Sequence, residues 1–318
     1  MNQLSVRVLK KTREAEDIVS FELASADGRP LPPFSAGSHL DVRIPGGIVR
    51  QYSLCNDPAE SHRYLIAVLR DAKSRGGSIA MHERVNEGDV IEVSEPKNHF
   101  PLVPAERVLL LAGGIGVTPI LCMAERLAHT ATDFAMHYCT RSSERTAFRS
   151  RIARSRFADK VHYHFDTDAP EQKLDFRALF AAAEHGTHLY VCGPGGFIEH
   201  VRNTARDCGW PSERIHLEYF GAQAQDNSRD DSFEIKLASS GTTYRIPAGK
   251  TVVEVLAEHD IEIPTSCEQG VCGTCITRVI EGTPDHRDVY LTDDERARND
   301  QFTPCCSRAR SATLVLDL

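Results

Sequence analysis

No stretch of this 318-residue chain is apolar for long enough to cross a bilayer as a helix. Its opening residues, MNQLSVRVLKKTREAED, lack the apolar core that a secretion signal needs. The expectation is a soluble, cytoplasmic protein that binds no membrane. Basic charge is also short: 37 Lys and Arg stand against 45 Asp and Glu, for a net −8. No basic stripe runs along the chain, which argues against nucleic-acid binding. There is no internal repeat, no low-complexity tract, and no acid–base dyad or nucleophile triad. Pairing logic among the cysteines is missing as well. Six of the ten (Cys55, Cys122, Cys139, Cys192, Cys208 and Cys306) are scattered, as expected in a reducing compartment.

The other four are not scattered. SCEQGVCGTC places Cys267, Cys272 and Cys275 in one loop with C-x4-C-x2-C spacing, and Cys305 or Cys306 follows in TPCCSRAR. That is the plant-type ligation pattern of a [2Fe–2S] cluster. Gly270, Gly273 and Thr274 let backbone N–H groups approach a bulky inorganic core. Structural zinc usually draws on two separated short-spaced couples, so three cysteines from one loop fit zinc poorly. If the backbone near residue 305 is extended, neighbouring side chains face opposite ways. Only one of the two thiols can then turn to the cluster, and Cys305 is the choice.

Charge is unevenly placed. From residue 225 onward there are 17 acids and 10 bases, a net −7, whereas the rest has 28 and 27. Four thiolates on an oxidised cluster add about two more negative charges. An acidic surface around a redox centre suits steering towards a basic partner. It equally suits solubility.

Three segments follow one another. Short, partly alternating runs (LSVRVLKKT, DIVSFELAS, SHLDVRIP, RQYSLCN, RYLIAVLRD, DVIEVSEP) predict an antiparallel β-barrel up to about residue 101, with one helix near SIAMHERV. Next, strands RVLLLAG, FAMHYCT, KVHYHFD, THLYVCG and RIHLEYF alternate with helical TPILCMAERLAHT, TAFRSRIARSRF, LDFRALFAAAEH and GFIEHVRNTARDCG. This is the pattern of an α/β doubly wound parallel sheet. After polar GAQAQDNSRDDS, FEIKLASSGTTYRIPAG reads as a hairpin and VVEVLAEHD as a helix, and ATLVLDL closes a sheet. The fold class expected is multidomain. It comprises an antiparallel β-barrel flavin domain (1–102), an α/β nucleotide domain (103–224), a linker (225–232) and an α+β plant-type ferredoxin (β-grasp) domain (233–318).

A [2Fe–2S] cluster takes one electron at a time, whereas NADH and NADPH give hydride, so a flavin is expected upstream to split the pair. RQYSL offers Arg50 for a flavin phosphate, Tyr52 for the isoalloxazine and Ser53 for N5. RGGS (75–78) precedes the predicted helix and could present its N–H groups to that phosphate. Alone, each is an ordinary strand or turn. AGGIGVTP (112–119) opens a helix after a buried strand but is not a G-x-G-x-x-G fingerprint, because Pro119 suits the first helical turn instead. VCGPGGF (191–197) ends another strand of the same sheet. Two glycine-rich turns at C-terminal strand ends predict one shared crevice. His162 and His164 share a strand face as a metal-like pair, but no acidic or thiol partner is evident and a structural role is the better reading. DHRD (285–288) reads as a loop packed beside the iron–sulfur fold.

These motifs, with SRGGSIAMH, YCTR, HLEYFG, DHRDVYLTDDE and CSRARSATLVLDL, resemble the phthalate dioxygenase reductase and vanillate demethylase reductase family along the whole chain. Members are reductase components of Rieske-type oxygenases. The resemblance implies an NADH-dependent oxidoreductase, with FMN and a [2Fe–2S] cluster, that serves a terminal oxygenase. It implies FMN contacts at Arg50, Gln51, Tyr52 and Ser53, with Ala67, Val68 and Arg75 beside them and Gly76, Gly77 and Ser78 on the phosphate. It places Gly113, Gly114, Gly116, Thr118, Pro119, Thr140, Arg141, Gly193 and Pro194 along the dinucleotide. Phe220 would stack on the flavin and move aside for nicotinamide, with Ser53, Cys192 and Glu218 near the reacting atoms. Cys306 stands where the family usually has an apolar residue. FMN rather than FAD rests on the resemblance, which also leans to a monomer. NADPH stays open, because Arg141 could face a 2′-phosphate. The rival readings are a ferredoxin-like carrier or redox sensor, and a reductase with a non-protein acceptor such as a quinone.

Overall fold

The computed structural model describes residues 3–72, 76–167, 169, 173–221, 230–265 and 267–318. It falls into two compact units, Met1–Phe220 and Gly221–Leu318. Residues 225–229 of the expected linker, and Arg75, lie outside the described residues.

The first unit opens with β1 (Gln3–Ala15), β2 (Ile18–Ser25), β3 (Ser38–Arg43), β4 (Val49–Ser53), β5 (Tyr64–Leu69), α1 (Gly77–Arg84), β6 (Val90–Ser94) and β7 (Lys97–Asn98). The strands pair antiparallel in the order β4-β3-β6-β1-β2-β5, with β7 on β3. A single bridge, Leu54 to Ile66, joins the two ends. Alternation does the sorting: Val6, Val8, Phe21, Leu23, Leu40 and Val42 point inward to one core. Ala80 and Met81 of α1 belong to that core too.

The parallel sheet follows. Its elements are β8 (Arg107–Gly113), α2 (Val117–His129), β9 (Asp133–Thr140), α3 (Arg149–Ala153), β10 (Val161–Phe165), α4 (Phe176–Ala182), β11 (His188–Gly193), α5 (Gly195–Asp207) and β12 (Ile215–Tyr219). The order is β10-β9-β8-β11-β12. RVLLLAG is apolar throughout because β8 is central and covered on both sides. Val108, Leu110 and Ala112 face α2, whereas Leu109 and Leu111 face α4 and α5. Full burial of one such leucine contributes about 1.5–3 kcal/mol. The α2 side also takes in Ala15, Ile18, Ala36, Cys55, Leu65 and Phe100, so barrel and sheet share one apolar core. One expectation is corrected. The helix expected over residues 146–157 is only α3, because Phe148 adopts a left-handed φ of 61° immediately before it.

The second unit has β13 (Phe233–Leu237), β14 (Thr243–Ile246), α6 (Val252–Ala257), β15 (Thr277–Glu281), β16 (Pro284–Asp285), α7 (Asp293–Arg298), β17 (Gln301–Phe302), β18 (Arg308–Ala309) and β19 (Thr313–Leu316). Its main sheet runs β14-β13-β19-β15-β17, with β13 and β19 parallel. Both helices start with a full capping box, Thr251 with Glu254 and Thr292 with Glu295. Val252, Val255 and Leu256 set α6 into the core of the sheet. The multidomain fold read from the sequence is the one observed.

At the C-terminal edge of the parallel sheet, two glycine turns touch. A Cβ on Gly116 would sit 2.2 Å from the Cys192 carbonyl oxygen, and one on Gly193 would sit 3.0 Å from Gly113 Cα. Gly116 has ordinary helical φ and ψ, so the need there is space and not backbone freedom. Gly116→Ala is expected to destabilise the first unit by about 1–3 kcal/mol through overpacking. The loss is read as a lowered denaturation midpoint, and an unchanged midpoint would show that the turns can part without cost.

Candidate functional site

Four groups of side chains are assembled by this scaffold. The first is on β4. Gly76 takes a left-handed φ of 85° as the N-cap of α1, and no side chain caps that helix. A Cβ on Gly77 would strike the Arg50 side chain at 2.7 Å. Arg50 therefore lies across an uncapped helix N-terminus. A cation over free N–H groups fits a phosphate. Tyr52 is half-buried, and burial raises its phenol well above its ordinary range. Ser53 is buried directly opposite His39. Ala67 and Val68 are buried on β5. Ser78 Oγ accepts the Asp71 N–H at 3.2 Å.

Sequence reasoning missed the support under Gln51. Its amide nitrogen lies 3.1 Å from both Asp41 Oδ1 and His39 Nε2. Lys97 Nζ in turn donates to Asp41 Oδ2 at 2.5 Å. Burial lowers the His39 pKa to about 4, which leaves the ring neutral at pH 7. The signal was present in SHLDVR, where His39 and Asp41 alternate on one face of β3.

The second group lies at the C-terminal strand ends of the sheet. Gly113, Gly114 and Gly116 form the turn from β8 into α2, with Thr118 and Pro119 buried in its first turn. Thr118 donates to the Ile115 carbonyl at 3.1 Å, so its hydroxyl is spent on the turn. Gly193 and Pro194 lead into α5, which has no side-chain cap. Thr140 and Arg141 close β9: Thr140 is buried, 2.7 Å from the Thr146 hydroxyl, and Arg141 is exposed. Cys192 and Glu218 are register partners on β11 and β12, and the thiol lies 3.9 Å from Glu218 Oε2. Burial raises the Glu218 carboxyl to about 8, although part of the residue is exposed, and it raises the Cys192 thiol well above its usual range. Phe220 follows β12 and is 43% exposed.

The third group is the thiol loop of the second unit. Cys275 Sγ and Cys305 Sγ are 3.3 Å apart, and Cys267 and Cys272 form the other couple. Two couples match a core in which each iron takes two thiolates and shares two sulfides. The Gln269 N–H donates to Cys267 Sγ at 3.4 Å, and Thr274 Oγ1 lies 3.2 Å from Cys272 Sγ. The neighbouring Cys267, and then Thr274, hold the Cys272 pKa down to about 5, and Cys305 lowers that of Cys275. Gly270 and Gly273 have φ near 70°, and a Cβ on either would meet Cys306 Sγ or the Tyr290 ring at 2.4 Å. Asp288 of DHRD packs under Gly270 and accepts the Tyr290 and Leu291 N–H groups.

The backbone around Cys305 is a turn, so the extended geometry that would turn neighbouring side chains opposite ways is absent there. Cys305 faces Cys275 and also interacts with the adjacent Cys306 thiol, whose Sγ sits 3.3 Å from Thr303 Oγ1 and beneath Gly270. Cys305→Ser is expected to lose most iron and sulfide, with Cys306→Ser keeping both. The reverse pattern on metal analysis would exchange their roles. The fourth group, His137 with His162 and His164, lies on β9 and β10, apart from these residues.

The 2Fe-2S iron-sulfur cluster binding domain family matches residues 235–310. The N-terminal domain family of dimethylamine monooxygenase subunit DmmA-like proteins matches residues 99–215. Vanillate O-demethylase oxidoreductase of Pseudomonas sp. (strain HR199 / DSM 7063) is 55% identical over 96% of this chain and 96% of its own length. Phthalate dioxygenase reductase of Burkholderia cepacia is 43% identical, covering 99% of this chain and 97% of its own. A solved phthalate dioxygenase reductase, described as a modular structure for electron transfer from pyridine nucleotides to [2Fe–2S], superposes with a TM-score of 0.78. It is 43% identical and covers 100% of this chain and 98% of that one. Among the described residues, no helix is long and apolar enough to cross a membrane. The chain belongs to the vanillate O-demethylase oxidoreductase and phthalate dioxygenase reductase family: it is an oxidoreductase with a flavin-binding reductase fold and a C-terminal [2Fe–2S] electron-transfer domain.

Proposed function

We propose that this chain oxidises NADH and passes the electrons by way of FMN and its [2Fe–2S] cluster to a terminal Rieske-type oxygenase acting on an aromatic compound. The observation that carries the reading is the presence, in one chain, of a phosphate cradle on β4 and α1, a glycine-lined crevice, and two thiol couples. The names of its relatives support an oxygenase as acceptor. On this reading residues 1–102 hold flavin, 103–224 hold the dinucleotide, 225–232 link them to the rest, and 233–318 hold the cluster.

The flavin supplies the chemistry of accepting a hydride pair and releasing electrons singly. Arg50 and the α1 N–H groups of Gly77 and Ser78 bind its phosphate. Gln51, fixed by Asp41 and His39, and Tyr52 with Ser53 orient its ring. Gly114, Gly116, Gly193 and Pro194 let the dinucleotide backbone come close, with Thr140 and Arg141 at its far end. Phe220 would cover the bound ring and would have to yield that place to nicotinamide. Cys192 and Glu218 would border the transfer site, and their raised pKa values would keep negative charge away from it at pH 7. Hydride transfer then needs chiefly alignment of two rings near contact. Cys267, Cys272, Cys275 and Cys305 would hold the cluster as two couples.

Three results are expected. Acid-released flavin is FMN by mass, and FAD would correct the cofactor. NADH exceeds NADPH in kcat/KM, and the opposite order would assign Arg141 to a 2′-phosphate. The rate of flavin reduction by NADH changes across pH 8 as Glu218 ionises, and Glu218→Gln flattens that profile. The stability sign follows from the same carboxyl. The folded chain keeps a proton that the unfolded chain releases near 4.5, so this group's contribution falls as pH rises from about 4.5 to 8.

A further inference from the structure

Basic charge is scarce in the chain as a whole, but it collects in one place. Six arginines and a single acid fall within residues 141–156. Arg149 and Arg151 lie on α3 and Arg154 caps it, and all three line a cavity of about 930 Å³ between this segment and the barrel. The opposite wall is the outer face of β1 and β2. Val8, Phe21 and Leu23 turn into the barrel core, whereas Lys10, Thr12, Ser20 and Glu22 turn to the cavity.

Six cations line this space, Lys10, Arg13 and Arg63 on the barrel side and Arg149, Arg151 and Arg154 on the other. Three carboxylates stand among them, Glu14, Glu22 and Glu144. Two of the cations are committed: Arg63 pairs with Glu22 at 2.9 Å and Glu60 at 2.8 Å, and Arg151 with Glu125 at 2.9 Å. Glu14 accepts the Ser20 hydroxyl at 2.7 Å, and Glu144 that of Ser143 at 3.0 Å. Among the described residues, Lys10, Arg13, Arg149 and Arg154 make no salt bridge, and all four are exposed. The Arg149 guanidinium is set over the Tyr163 ring, 5.8 Å from its centre.

We propose that this cavity binds a small polyanion, a molecule carrying two or more phosphate or carboxylate groups, between Lys10 and Arg13 on one wall and Arg149 and Arg154 on the other. Like charges facing one another across a concavity focus a positive field within it. A ligand with several negative groups relieves that repulsion on both walls at once. The volume suits a small molecule. Guanidinium forks match the paired oxygens of phosphate and carboxylate. None of the residues assigned to flavin, dinucleotide or cluster lines the cavity. Thr146 does, and its hydroxyl is 2.7 Å from that of Thr140, so the site adjoins the proposed dinucleotide end without sharing a residue with it. The inference does not depend on the donor or the acceptor proposed above.

The test is calorimetric titration of the full-length chain, with flavin and cluster in place, by pyrophosphate and by citrate at low ionic strength. Iron is counted before and after, because both probes chelate. Saturable binding of one anion per chain is expected, weakening as salt is added and persisting under saturating NAD+. The tighter of the two probes assigns the ligand to phosphates or to carboxylates. The pair Arg149→Gln with Arg154→Gln, and separately the pair Lys10→Gln with Arg13→Gln, is expected to weaken binding by about tenfold or more. These exposed, unbridged positions should tolerate the change, and flavin reduction by NADH is expected to stay as in the parent. No saturable binding of either probe would overturn the site, as would full affinity in both variant pairs. Displacement of the probe by NAD+ would place it on the dinucleotide's own phosphate subsite and overturn the proposal equally.

Discussion

The Cys192 carbonyl meets the backbone of Gly116 with no room for a methyl group between them. That contact holds the ends of two neighbouring parallel strands together. The turns leaving β8 and β11 therefore open on the same side, and both following helices, α2 and α5, start at that edge. Crevices at the carboxyl ends of such strands receive nucleotides because the chain turns away there and leaves N–H groups facing outward. Register then does the rest. Cys192 and Glu218 are paired across β11 and β12, so a thiol and a carboxyl share one wall of the crevice. Burial raises the pKa of both groups, which disfavours negative charge along that wall.

The second unit solves a different problem with the same device. A cluster core needs backbone wrapped closely around it, and Gly270 and Gly273 supply that in left-handed conformations where a side chain would hit Cys306 or Tyr290. Asp288 fixes the covering loop from below through two backbone N–H groups. The thiols fall into two couples, as a two-iron core with two thiolates on each iron needs.

Much of this was legible in the sequence because periodicity and spacing are local. RVLLLAG declares a strand buried on both faces, and β8 runs over those seven residues. C-x4-C-x2-C places three thiols on one loop whatever the rest of the fold does. The misses are local backbone conformations and non-local contacts that apolar spacing does not encode. The helix expected across 146–157 shrank because Phe148 turns left-handed, which apolar spacing does not foresee. His39, Asp41 and Lys97 matter only because β3 lies beside β4 and β7. His137 joins His162 and His164 through a register that no motif encodes. The two vicinal cysteines were separated on the assumption of an extended strand. The backbone there is a turn, and it leaves the two thiols close to each other.

The central claim is that two electrons from a nicotinamide reach the thiol-held cluster through a flavin in the same chain. The measurement that bears on it most directly is an anaerobic titration of the purified full-length protein with NADH, followed by visible absorbance and EPR. The account predicts loss of flavin absorbance together with a rhombic signal from the reduced cluster. Flavin bleaching with a cluster that stays oxidised, or no change with either NADH or NADPH, would contradict it.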